Sequence, residues 1–159
     1  MDALIHILRN DATMPHTEIA RLLDLSLEQV EGRIAELEKQ GVILGYQAIV
    51  NREKCNHGAV AAMIEVKLTP EREGGFDRIA QRIARFEEVQ SCYLMSGSQD
   101  LLIVVEAPNI RHVASFVAEK LSTIEAVQST VTNFKLKTYK ENGTFYQMDA
   151  TPERLTVAP

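Results

Sequence analysis

Positive charge is scarce at the start of this chain. Residues 1–50 hold four cations, Arg9, Arg21, Arg33 and Lys39. Eight acids oppose them: Asp2, Asp11, Glu18, Asp24, Glu28, Glu31, Glu36 and Glu38, for a net of −4. The full 159 residues carry −5, a balance that gives no help to nucleic-acid binding by bulk charge. Cysteine is nearly absent. Cys55 and Cys92 are far apart and match no metal or redox spacing, so two reduced thiols in a reducing compartment are expected. Apolar runs such as Leu101–Val105 are far too short to span a bilayer. Asp2, Arg9 and Asp11 interrupt the opening stretch, so no signal peptide is read there. A cytoplasmic protein without membrane contact is the expectation. His6, His16, His57 and His112 show no paired metal spacing, and neither a glycine-rich phosphate loop nor a nucleophile elbow is present. The reading therefore assigns no catalytic residue, no metal and no cofactor.

What remains is ordinary globular material, 45% hydrophobic and 25% charged, enough for one domain or two small ones. Residues 1–40 read as three short helices. Leu4, Ile5 and Leu8 form one apolar stripe that ends at Asn10-Asp11. Ile19, Leu22 and Leu23 form a second, with Pro15 suited to a helix start. Ser26 and Gln29 make a capping box for the third, which Gly41 stops. Asp24 occupies the turn before it, where a left-handed residue is needed and Asp tolerates that conformation. The stretch "SLEQVEGRIAELEKQG" (26–41) thus has the form of a helix-turn-helix reading helix. Its net charge is unlike that of a helix meant for a polyanion.

Beyond Gly41 the period changes. "VILGYQAIV" (42–50) reads as a strand or an extended linker, and Lys54–Gly58 as a hinge. Residues 59–69 alternate as a strand with Val60, Ala62, Ile64, Val66 and Leu68 on one face. A helix is expected over 76–86, with Phe76, Ile79, Ile83 and Phe86 on one side. Strands follow at Val89–Ser96 and Leu101–Ala107, around the turn "SGSQ". Asn109 caps a helix to about Leu121 with Ile110, Val113, Phe116, Val117 and Leu121 inward, and Val127–Tyr139 is the last strand. The order strand, helix, strand, strand, helix, strand is a ferredoxin-like split sandwich with right-handed crossovers. Helices cover one sheet face. The other is expected to carry Met63, Glu65, Cys92, Leu94, Leu102 and Val104, apolar enough to want a second chain. The tail from Lys140, with "TFY" and "RLTVAP", adds a strand or stays mobile.

"RIAELEKQGVILGY" resembles a stretch of the Lrp/AsnC, or feast/famine, transcription regulators. Arg33, Ile34, Leu37, Glu38, Gly41, Val42, Ile43, Gly45 and Tyr46 carry the match. "EIARLLDLS" (18–26) is similar to the family's preceding helix and turn. "MSGSQDLLIVVEA" (95–107) stands in place of its Gly-x-x-Asp turn and strand. The resemblance implies an α+β chain: a winged helix-turn-helix over 1–46, a linker strand and hinge over 47–58, a ferredoxin-like sensing and dimerisation domain over 59–140, and a tail over 141–159. It also implies a non-enzymatic regulator of double-stranded DNA. Such regulators form homodimers that assemble further, to tetramers or octamers, and many bind amino acids between dimers.

On that reading the DNA-facing residues are Arg21, Ser26, Leu27, Glu28, Gln29, Gly32, Arg33 and Glu36. Arg33 suits a phosphate or a guanine edge, and a Glu can accept from cytosine N4. The glutamates would help reject most sequences, with affinity supplied by assembly. The family often has basic residues just after this arginine; here stand Ala35 and Glu36. The effector residues are Gly97, Ser98, Gln99, Asp100, Ser129 and Thr130. Asp100 can pair with an α-ammonium group; backbone N–H groups at Gly97 and Ser98, and hydroxyls of Ser129 or Thr130, can take a carboxylate. Many relatives have an aromatic residue where Gln99 stands. A ligand-sensing oligomer acting through a protein partner is the alternative, supported by the acidic N-terminal half.

Overall fold

The computed structural model describes residues 2–55, 58–70 and 75–146. The chain divides into two compact units between Ile49 and Val50.

The first unit is three helices: α1 (Ala3–Asn10), α2 (His16–Leu23) and α3 (Leu27–Lys39). Each has a local reason to begin. The Asp2 carboxylate accepts from the Leu4 N–H at 3.0 Å and caps α1. Pro15 sits at the N-cap of α2, where its missing N–H leaves nothing unpaired. Ser26 Oγ accepts from the Gln29 N–H at 3.1 Å, and Gln29 Oε1 accepts from the Ser26 N–H at 2.8 Å, the expected capping box. Asp24 takes the left-handed conformation, φ 53° and ψ 47°, as the turn requires. Gly41 ends α3 at φ 69°. There the Val42 N–H reaches the Leu37 C=O at 2.9 Å and the Gly41 N–H reaches the Glu38 C=O at 3.0 Å, a Schellman closure.

Leu4, Leu8, Ile19, Ala20, Val30 and Ile34 form the buried centre of this unit. Leu22, expected inside, is 56% exposed, and Ala20 is buried instead. Periodicity leaves either flank of Ile19 open, and the small side chain is the one the helix contacts enclose. Of the two readings of Val42–Val50, the extended linker holds. No strand forms there, so the single chain builds no wing hairpin among its described residues. A strand needs a ladder partner, and this segment has none among the described residues; Leu44 is 93% exposed.

The second unit opens with the short helix α4 (Arg52–Cys55) and then builds β1 (Val60–Leu68), α5 (Asp77–Ile83), β2 (Val89–Leu94), β3 (Leu101–Ala107), α6 (Ile110–Ser115) and β4 (Val127–Phe134). The sheet order is β2-β3-β1-β4, the ferredoxin-like arrangement. Alternate residues of β1 (Ala62, Ile64, Val66, Leu68) and β3 (Leu101, Ile103, Val105, Ala107) are buried against Ile79 and Ile83 of α5 and Val113 of α6. Asn109 caps α6, accepting from the His112 N–H at 3.1 Å. The helix then widens into a π-helix over Phe116–Leu121. In an α-helix residues five apart diverge by about 140°; the wider turn brings Phe116 and Leu121 both into the core. Ile110, expected inside, lies exposed in the first turn of α6.

The sheet corrects one strand. Cys92 stands opposite Ile103 and Leu94 opposite Leu101, which places both on the helix-covered face. Cys92 packs against the core, and its Sγ lies 3.9 Å from the Ala80 carbonyl. Ser91 and Tyr93 take the open face instead, opposite Val104 and Leu102. A register irregularity between Val89 and Ser91 sets this, and a one-residue change of register exchanges the faces. Met63, Glu65, Leu102 and Val104 are on the open face as expected, with Val131 beside Glu65. The last strand stops at Phe134, short of Tyr139. Two further short strands, β5 (Lys140–Glu141) and β6 (Thr144–Phe145), form a hairpin about Asn142-Gly143. The "RLTVAP" segment lies outside the described residues.

Candidate DNA-reading and effector-binding sites

Val30 and Ile34 anchor α3 in the core, and this fixes what the helix presents outward. Leu27, Glu28, Gln29, Glu31, Gly32, Arg33 and Glu36 are all exposed. Their chemistry is partly spent within the unit. Ser26 and the Gln29 carbonyl close the capping box, leaving the Gln29 NH2 as a donor. Arg33 Nη2 donates to Asp2 Oδ2 at 2.7 Å, tying α3 to the cap of α1. Arg21 stands 3.9 Å from Glu18.

The glutamates also have local work. Glu31 lies 3.7 Å from His16 Nδ1, and Glu36 accepts from Gln40 at 2.6 Å. Glu38 accepts from the Tyr46 hydroxyl at 3.0 Å; burial, then this carboxylate, pushes the Tyr46 pKa up. Glu28 lies in the first turn of α3, where the helix dipole favours an acid. So the acidity of α3 is largely accounted for by contacts along its own unit.

Gly32 is different. It lies mid-helix and exposed, and a Cβ built there would meet nothing within 4 Å. Glycine costs a helix interior about 1 kcal/mol relative to alanine. No contact inside the unit requires glycine at this position.

In the second unit the polar turn 96–100 joins β2 to β3. Ser96, Gly97 and Ser98 are exposed, with Gly97 at φ 139°. Asp100 is firmly engaged. Its Oδ2 accepts from the Leu68 N–H at 2.8 Å and its Oδ1 from Lys67 Nζ at 3.1 Å. Its backbone N–H donates to the Val66 C=O at 3.0 Å. The Leu68 N–H, then Lys67, holds the Asp100 carboxyl below the usual carboxylate range. Each carboxylate oxygen keeps a second lone pair for another donor. Gln99 Oε1 is buried and finds no hydrogen-bond partner among the described residues.

Ser129 pairs with Lys67 and Thr130 with Val66, so the two residues point to opposite faces of β4. Ser129, Lys67 and Asp100 come together; Thr130 lies on the helix-covered side. Lys67 is the residue sequence reasoning missed. Its ammonium meets Asp100 at 3.1 Å, and the β1–β4 register sets Ser129 opposite it on the neighbouring strand. Elsewhere among the described residues no three His, Cys, Asp or Glu side chains converge as metal ligands, and no helix is long and apolar enough to cross a membrane.

Comparison with known proteins agrees with this arrangement. The AsnC-type helix-turn-helix domain matches residues 2–38, and the Lrp/AsnC ligand binding domain matches residues 61–145. The HTH-type transcriptional regulator YugG of Bacillus subtilis is 41% identical over 157 residues, covering 98% of this chain and 95% of that protein. A proline dehydrogenase transcriptional activator of Rhodobacter capsulatus is 31% identical over 80% of this chain and 82% of its own length. Among solved structures, the leucine response regulatory protein of Mycobacterium tuberculosis superposes with a TM-score of 0.75 at 25% identity, covering 92% of this chain and all of the other. The feast or famine regulatory protein of the same organism, complexed with L-methionine, gives 0.71 at 26% identity, covering 91% and 95%. With a capped helix-turn-helix joined to a four-stranded ligand-binding sandwich, the chain belongs to the Lrp/AsnC family of DNA-binding transcriptional regulators and is not an enzyme.

Proposed function

We propose that the protein is a sequence-specific regulator whose assembly or DNA affinity responds to an amino acid or related small metabolite. Residues 1–46 read DNA, 47–58 link, 59–140 sense and dimerise, and 141–159 form the tail. The observation that carries the DNA reading is exposed Gly32 amid Glu28, Gln29, Arg33 and Glu36, a face of α3 open to close approach. Arg21, Ser26 and Leu27 flank it. Arg33 exchanges Asp2 for phosphate or a guanine edge, while the glutamates discriminate against most sequences. The open sheet face, with Met63, Tyr93 and Val131 exposed, supports a dimer that assembles to a tetramer or octamer. Solved relatives include one complexed with L-methionine. In this chain Gly97, Ser98, Gln99, Asp100 and Ser129, with Thr130 behind, would form the effector site.

The test is selection of bound duplexes from fragmented genomic DNA at low and moderate salt, with Arg33→Ala alongside. Enrichment of a few sites, lost in the variant at unchanged particle size, is expected. No enrichment at low salt would sink the reading. It would favour the second one, an oligomeric sensor acting through a protein partner, which the −4 charge of residues 1–50 supports.

A further inference from the structure

The positive charge missing from the first unit is found at one end of the second. Residues 134–146 contain Lys135, Lys137 and Lys140 against a single acid, Glu141. Lys135 is spent on that acid, at 3.1 Å. Lys137 and Lys140 are exposed, and each ammonium rests over an exposed aromatic ring: Lys137 at 5.0 Å from the Tyr139 centroid, Lys140 at 4.6 Å from that of Phe145. A ring face positions a cation while leaving it open to water and to an anion.

The hairpin is tied to the point where the chain enters the unit. The Tyr146 hydroxyl lies 2.9 Å from the Val50 carbonyl and 2.6 Å from Glu141, and Asn51 Nδ2 donates to the Tyr146 carbonyl at 3.4 Å. Exposed Lys54 follows, its N–H bonded to Asn51. The strand registers put this end, with Val60, Ala107 and Phe134, opposite the polar turn at Leu68 and Leu101. It is therefore distinct from the effector turn.

We infer that Lys54, Lys137 and Lys140 form a phosphate-contacting surface for the operator duplex, supplying attraction that the acidic reading unit lacks. This rests on the regulator reading above. Its occupant is the DNA backbone. A contact between copies would bury the same ammonium groups, a desolvation cost that acids of the other copy would have to offset. Phosphates offer the complementary charge without sequence preference.

The test is duplex binding by the full-length double variant Lys137→Gln/Lys140→Gln, measured across salt on an enriched duplex and a scrambled one of equal length. Affinity should fall by a similar factor on both. The slope of log K against log salt should shrink by about 1.8 per bound protomer, from about 0.9 for each of two phosphate contacts. The charge-retaining Lys137→Arg/Lys140→Arg should keep the slope, and particle size by light scattering should not change. An unaltered slope in the glutamine variant overturns the inference alone. So does a smaller particle, which would place the lysines between copies. Failure of the unmodified protein to bind either duplex at any salt overturns the regulator reading and this inference together.

Discussion

Asp2→Asn should tighten DNA binding. In the free protein Asp2 does two things: Oδ1 caps α1 through the Leu4 N–H at 3.0 Å, and Oδ2 holds Arg33 at 2.7 Å. Asparagine caps a helix about as well as aspartate, so the first role survives. The second is reversed, because an NH2 donor then faces the guanidinium. Arg33 is released and one acid leaves a unit that carries too many. The side chains are 50% and 27% exposed, which makes this a solvent-screened pair. Such pairs are worth about 0–1 kcal/mol. Binding DNA through Arg33 must break the pair, so its removal should strengthen binding by up to about fivefold per protomer. Fluorescence anisotropy on a selected duplex reads this directly, and circular dichroism checks that helix content is unchanged. Affinity that stays the same or weakens, with the helices intact, would refute the exchange of Asp2 for DNA.

Three other outcomes are expected. Gly32→Ala should stabilise the first unit by about 1 kcal/mol through helix propensity, yet weaken duplex binding; a stabler variant that binds DNA equally well would remove Gly32 from the interface. Asp100→Ala should weaken amino-acid binding and lower the melting temperature, since Leu68 N–H loses its acceptor and Lys67 its partner; calorimetric titration giving equal affinity for both proteins would reject the effector role. Acid should destabilise the second unit. Lys120 holds the Glu88 carboxyl below its ordinary 4.5, and the Leu68 N–H holds Asp100 below its ordinary 3.8. Their contribution is complete above those ordinary values and is lost as pH falls through the lowered ones. Melting followed from neutral pH down to about 3 should show the loss, and Glu88→Gln should flatten it.

The sequence by itself determined the elements and their order. Caps, stops and alternation are local: Ser26 with Gln29, Gly41, Asp24 and Asn109 each act within a few residues, so a linear reading finds them. The β1 and β3 faces were legible for the same reason, since alternation labels each strand's buried side. Family motifs lie in contiguous stretches and were legible too.

What depends on pairing was not. Cys92 and Leu94 changed faces because an irregularity opposite β3 sets the β2 register, and no residue of β2 announces it. Residues 42–50 have strand composition but no ladder partner among the described residues. Arg33 read as a bare cation for DNA, yet a residue 31 positions earlier holds it. That Lys67 partners Asp100 shows only once β1 is laid between β3 and β4. Lys137 and Lys140 read as part of a polar stretch until the rings of Tyr139 and Phe145 were placed beneath them. Backbone propensity acts over one helical turn or one strand, so sequence fixes it. Charge pairing and side-chain neighbourhoods act through space, so only the folded chain decides which cations are spent and which are left to meet a partner.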